Sequence, residues 1–224
     1  MRRFWNIAGK WAAMISMLGI GFFASAQEED FAADYEASLA LFEESRMLIE
    51  EEAYEQAVDY LQQAYEFYNG DSDYTYAAAF ALYKLKRYEE ALEKINWSIS
   101  LRPFQANYHV MAGNIAYRDR KYEEGIDYYS QALQYQDSSE VAIDDLGCYY
   151  NRGNCYLRSA LYEEAEWDFT EVLSIDESNF MAYHNRAQAR LRLQKVDEAC
   201  EDFQMAITNG STISQNYLSK YCDK

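Results

Sequence analysis

Proline is nearly absent: Pro103 is the only one in 224 residues, and it falls where a helix can end. β-Branched runs are missing too, which leaves strands little support. Histidine occurs twice, at His109 and His184, and the four cysteines show no CxxC spacing. A zinc site needs clustered ligands, and no HExxH, glycine-rich phosphate loop or nucleophile elbow occurs. Acidic pairs such as Glu89-Glu90 read as solvated helix faces. The chain is therefore expected to be non-enzymatic, with no cofactor and no metal. Positive charge is also scarce, with 20 Lys and Arg against 38 Asp and Glu and a net charge of −18. Phosphate backbones are held by Lys and Arg, so nucleic acid is not an expected partner.

The basic residues that do occur are unevenly placed. Arg2, Arg3 and Lys10 precede a 13-residue apolar run, Trp11 to Phe23, and Ala24-Ser25-Ala26 follows. That is the layout of a secretory signal peptide with an A-x-A cleavage site, and residues 1–26 are expected to be removed. The alternative is an uncleaved anchor, but spanning takes roughly 20 apolar residues. No cysteine follows the cleavage site, which argues against a lipid anchor. Export to a periplasmic or extracellular location is expected, with no membrane span after cleavage. Residues 27–60 then hold twelve acidic residues against the single Arg46, which serves solubility.

What the chain has in quantity is repetition. A Tyr-Glu-x-Ala run or its relative begins at Tyr54, Tyr88, Tyr122, Tyr162 and Val196, with successive starts 34, 34, 40 and 34 residues apart. A period in that range marks a solenoid of stacked units. Each unit reads as two amphipathic helices, apolar at i, i+3, i+4 and i+7. The units are placed at 38–71, 72–105, 106–139, 146–179 and 180–213 within an array spanning 27–213. Their eighth position is small (Ser45, Ala79, Gly113, Gly153, Ala187), and so is the twentieth (Ala57, Ala91, Gly125, Ala165, Ala199). The twenty-fourth is large: Leu61, Ile95, Tyr129, Phe169 and Phe203. Small residues let two antiparallel helices approach to about 8–10 Å, and large opposite small interlocks the layers.

The segments "AGNIAYRDRKYEEGIDYYSQAL" from Ala112 and "NRGNCYLRSALYEEAEWDFTEVL" from Asn151 resemble the tetratricopeptide repeat family. The resemblance covers residues 38–213. It implies an all-α, right-handed solenoid of about five helical hairpins whose first helices line a concave groove. It departs from the family in the terminal proline, present only as Pro103, and in six extra residues, Glu140–Asp145. These are expected to lengthen the fourth unit's first helix by about 9 Å, capped by Ser138 or Ser139; the alternative is a loop. Both ends need covers. Phe31 and Tyr35 extend the first helix backwards. Gly210 stops the last repeat helix, and Thr212 with Gln215 fits a capping box for a helix, within 214–224, running to about Tyr221. Ile213, Tyr217, Leu218 and Tyr221 form its apolar stripe.

Several residues are candidates for function. Arg152 and Arg186 share one position, Asp168 and Asp202 another on the facing helix, and the other units lack both. Joint presence predicts structural ion pairs, worth at most about 1 kcal/mol if exposed. Lys84, Arg118, Arg158 and Arg192 all stand thirteenth in their units, near the groove in the family's architecture. They can grip an acidic segment, or merely answer the macrodipole at about 0.3–1 kcal/mol each. Asn114, Asn154, Asn185 and Gln188 offer groove amides to an extended backbone, and His184 occupies a groove position. Towards the N-terminus the same face turns aromatic, with Phe42, Tyr76, Phe80, Tyr83 and Tyr117 either filling gaps or forming pockets. The family's carboxylate clamp, a lysine one turn before an asparagine, is not matched: Val110 and Tyr150 precede Asn114 and Asn154 by four.

Cys148 and Cys155 stand about 10.5 Å apart by helical rise, beyond the roughly 7 Å a disulfide allows. Cys200 and Cys222 are the expected bridge, pinning the cap in an oxidising compartment; the alternative is four small buried thiols. The leading functional expectation is a protein-interaction scaffold holding an extended peptide or partner protein in the groove. Rivals are an assembly component of an envelope complex or homo-oligomer, and a glycan or cell-wall binding module. The partner and the oligomeric state are not written in the sequence.

Overall fold

The computed structural model describes residues 23–136 and 143–222. Among them are eleven helices and no strand: α1 Phe23–Glu50, α2 Tyr54–Phe67, α3 Ser72–Lys84, α4 Tyr88–Leu101, α5 Ala106–Arg118, α6 Tyr122–Tyr135, α7 Asp145–Arg158, α8 Tyr162–Ile175, α9 Phe180–Arg192, α10 Val196–Thr208 and α11 Ser214–Tyr221. Consecutive pairs from α1–α2 to α9–α10 form five hairpins, and each hairpin's second helix packs on the first helix of the next. Neighbouring first helices also touch, α1 to α3, α3 to α5, α5 to α7 and α7 to α9. The result is an α-solenoid closed at one end by α11.

The small and large positions meet as helix packing requires. Ala79, Ala187, Ala57, Ala91, Ala165 and Ala199 are fully buried, and so are Ile95, Tyr129, Phe169 and Phe203. A Cβ on Gly113 would stand 2.8 Å from the Tyr129 ring, closer than packing permits. Burying one such large side chain contributes about 1.5–3 kcal/mol.

Each hairpin turns through one left-handed residue two places before the Tyr or Val marker. Glu52, Lys86, Arg120, Ala160 and Gln194 have φ between 58° and 64°. In the second unit Lys86 N–H donates to the Tyr83 carbonyl (3.0 Å) and Arg87 N–H to that of Leu82 (2.9 Å). These bonds satisfy carbonyls that the helix end would otherwise orphan. Left-handed backbone costs a non-glycine residue about 1–2 kcal/mol, so packing on both sides sets the turn. No glycine marks it in the sequence.

The expected leader lies outside the described residues up to position 22. α1 begins at Phe23 and runs through the cleavage site expected after Ala26. Phe31 and Tyr35 pack edge-on against Tyr68, with ring centroids 5.8 and 5.2 Å away.

Two local expectations are corrected. The fourth unit's first helix is not lengthened, because α7 starts at Asp145 and Asp144 is extended (φ −84°, ψ 96°). Two contacts fix that start: Ile143 packs against the cluster around Tyr129 and Cys148, and the Asp144 carboxylate folds over Gly147. Ser138 and Ser139 lie outside the described residues. At the C-terminus, Ser211 rather than Thr212 serves the last helix: its Oγ accepts from Ser214 N–H at 3.3 Å. Gly210, at φ +104°, turns the chain so that Ser211 N–H reaches the Ala206 carbonyl. Ile213 is 63% exposed and leaves the apolar stripe to Tyr217, Leu218 and Cys222.

Candidate functional site

The first helices place one row of side chains on a shared face. Lys84, Arg118, Arg158 and Arg192 are the last residues of α3, α5, α7 and α9, and all four are exposed. None enters an ion pair among the described residues. Lys84 Nζ lies 5.2 Å from the Phe80 ring centroid, and Arg118 Nε donates weakly to the Tyr83 hydroxyl at 3.4 Å. That hydroxyl, then Tyr88 and Tyr117, hold the Arg118 guanidinium above its ordinary value. Three cations of the hairpin turns behave differently: Arg87 pairs with Glu90 (2.5 Å), Lys121 with Asp119 (2.8 Å) and Lys195 with Glu166 (2.7 Å), whereas Lys86 and Arg120 of those turns enter no ion pair among the described residues. Helix C-termini explain where the row stands. They leave the hydrogen-bonding capacity of Arg158 and Arg192 unspent.

Beside the row lie the amides. Asn185 Nδ2 donates to Asn154 Oδ1 at 2.9 Å and to the Tyr150 hydroxyl at 3.3 Å, and Gln188 Nε2 donates to Asn185 Oδ1 at 3.3 Å. Asn114 Oδ1 accepts from the Tyr129 hydroxyl (2.7 Å) and from Asn151 (3.4 Å). The amides thus form a ladder between units instead of standing separately. In the N-terminal half, Tyr76 stacks on Tyr108 (5.1 Å, 29°), while Phe80, Tyr83 and Tyr117 are half-buried. Phe42 packs against Tyr74 at 4.9 Å.

His184 is not a free groove residue. Its Nδ1 shares a 2.8 Å hydrogen bond with Ser214 Oγ, and its ring meets Tyr217 edge-on at 5.0 Å. The C-terminal helix covers it, and burial lowers its pKa below the ordinary histidine value. Cys200 and Cys222 form a disulfide with Cα atoms 5.8 Å apart, tying that helix to α10. Cys148 and Cys155 are buried free thiols, and burial pushes both up to about 12.

The Arg–Asp pairs are buried instead of exposed. Arg152 meets Asp168 bidentately at 2.7 and 2.9 Å, and Asp168 is 0% exposed. Arg152 also donates to Ser130 of the preceding unit at 3.0 Å, and Arg186 repeats the design on Asp202 and Thr170. These pairs brace neighbouring units as well as their own. Sequence reading missed Arg190, which bonds Glu166 (2.9 Å) and Asp202 (2.8 Å). It also missed two hydroxyl ties, Ser38 to Tyr74 and Ser72 to Tyr108, each at 2.9 Å. The signal for the ties was present: Ser first in a unit, Tyr third in the next, twice in a row.

Residues 76–140 and 146–179 match the tetratricopeptide repeat family. Tetratricopeptide repeats are thus recognised in the second to fourth units. Curated relatives include Protein unc-45 homolog B of Xenopus tropicalis, 33% identical over 84 residues, which is 36% of this chain and 9% of that protein. A DnaJ homolog subfamily C member 7 homolog of Dictyostelium discoideum is 40% identical over 73 residues, 31% of this chain and 13% of that one. The chain thus spans only a small part of the curated relatives it matches. Among solved structures, YrrB, described as a TPR protein with an unusual peptide-binding site, superposes with TM-score 0.74 at 17% identity, covering 89% of this chain and 98% of its own. MamA from Desulfovibrio magneticus RS-1 does so with TM-score 0.69 at 16% identity, covering 84% and 98%. At such identities the likeness is one of fold. A repeat scaffold for protein–protein interaction is the function these repeats support.

Proposed function

We propose that this repeat protein holds an extended segment of a partner protein in the concave groove formed by its first helices, in an exported compartment. The observation that carries the reading is the row Lys84, Arg118, Arg158 and Arg192, in register and unpaired by any carboxylate among the described residues, in a chain of net charge −18. Guanidinium groups with unspent donors bind carboxylates by charge-assisted hydrogen bonds. The amide ladder beside them offers backbone-directed donors and acceptors, so affinity does not demand one sequence. The Cys200–Cys222 disulfide, together with the N-terminal leader pattern, supports an oxidising location. No helix among the described residues is long and apolar enough to cross a membrane.

A second reading, a structural component of a larger assembly, is favoured by exposed aromatic residues on the second helices and their connections. Trp97 is 44% exposed against Tyr65, and Phe104 is 59% exposed against Tyr135. Site-specific photocrosslinking in the native host separates the two. A benzophenone amino acid replacing Tyr117 should yield a partner adduct, and one replacing Trp97 should not. Adducts from Trp97 alone would support the assembly reading instead.

A further inference from the structure

Ile143 and Asp144, two of the six residues that interrupt the repeat period, wall a cavity of about 170 Å³. Its floor is one face of α5, with Asn107, Val110 and Asn114 at i, i+3 and i+7; Tyr76 of α3 closes the opposite side. Small-molecule and cofactor pockets usually run from about 300 Å³ upward, so this space suits one long side chain. Its waist is apolar, formed by Val110, Ile143 and the Tyr76 ring that Tyr108 holds in place.

Two acceptors around that waist lack a donor among the described residues, Asn107 Oδ1 and the Asp144 carboxylate, while Asn114 Oδ1 is already taken. Asp144 stands at the N-cap of α7 but makes no capping bond with its side chain, and among the described residues no cation pairs with it. Its neighbour Asp145 faces the Gln136 amide, which donates to it when the amide O and N are exchanged. Asn107 stands beside the Tyr76 hydroxyl, and its own Oδ1 is buried with no donor among the described residues. An apolar waist ending in an unpaired carboxylate matches a basic side chain, whose stem buries while its charged head finds the acid. An acidic side chain would be repelled by Asp144. A purely apolar one would leave the carboxylate unpaired.

We propose that this cavity is a subsite for a lysine or arginine side chain of the segment lying along the first helices. The inference rests on the groove reading above and adds the partner's charge pattern. From Asn107 to Arg118 the rise along α5 is about 16 Å, so the Asn107 end of the subsite and the cation row stand towards opposite edges of the groove, with Asn114 between them. Successive side chains of an extended segment point to opposite sides. A partner with acids on alternate positions and a basic residue between them presents each charge to its complement.

Fluorescence anisotropy with two labelled peptides tests this. One is Ser-Glu-Ser-Glu-Lys-Glu-Ser-Glu-Ser, and the other has norleucine in place of its lysine. The lysine peptide should bind about tenfold tighter, and Asp144→Asn, which keeps a good N-cap residue, should erase the difference. Equal affinity of the two peptides for the wild-type protein would overturn the subsite and leave the groove reading standing. So would a lysine preference that survives Asp144→Asn. Binding of neither peptide would overturn both.

Discussion

The two halves of the solenoid share a backbone design and are held by different chemistry. In units one to three the ties are hydroxyls and rings: Ser38 to Tyr74, Ser72 to Tyr108, Thr75 to Ser98 at 2.7 Å, and the Tyr76–Tyr108 stack. In units four and five they are buried ion pairs, an amide ladder and a disulfide. The same contrast runs along the groove, aromatic towards the N-terminus and amide-rich towards the C-terminus. A repeat therefore fixes helix spacing through its small and large positions and leaves the polar positions free to diverge. Hydroxyl ties add about 1 kcal/mol each. Buried pairs add little net stability but are costly to break.

The largest effect should come from breaking one of those pairs. Arg152→Ala leaves Asp168 buried without a cation, so destabilisation of about 3–5 kcal/mol is expected in urea melts. Arg186→Ala should cost clearly less, because Arg190 still reaches Asp202 at 2.8 Å. Equal losses would mean that Arg190 does not share that charge.

Reduction of Cys200–Cys222 comes next. The bridge closes a loop with sequence separation 22, and opening it should cost about 3 kcal/mol in the chain-entropy account. Reduced protein should lose α11 first, read as early tryptic cleavage at Lys220, while units one to three keep their resistance. The loss should deepen in acid. His184 is held below its ordinary pKa by burial, so its contribution is complete above the unfolded-state value of about 6.5. That contribution is lost as pH falls from there through the depressed folded value. Cleavage at Lys220 that is no faster at pH 5.5 than at pH 7.5, after correction for trypsin activity, would contradict this.

Much of this was legible because packing recurs. Positions eight, twenty and twenty-four repeat five times, so a pattern too weak in one unit became decisive in the set. Joint presence revealed the Arg152–Asp168 and Arg186–Asp202 pairs, though not their burial or their reach to Ser130 and Thr170. Features occurring once were harder to read. Six extra residues fit a helix or a loop equally well by length, and the Asp144–Gly147 contact decided between them. Thr212 and Ser211 are equally plausible caps until Gly210 sets the direction of the chain. His184 reads as a groove residue because its cover, α11, belongs to no repeat. The left-handed turn residues gave no signal, since Glu, Lys, Arg, Ala and Gln share no conformational preference for that region.

The central claim is that the cation row serves a partner and not the fold. Arg118→Gln, Arg158→Gln and Arg192→Gln, combined in one protein, test it by anisotropy with the Glu/Ser/Lys peptide alongside a thermal melt. Affinity should fall at least tenfold while the melting temperature stays within a few degrees of wild type. Unchanged affinity in a folded triple variant would contradict the account.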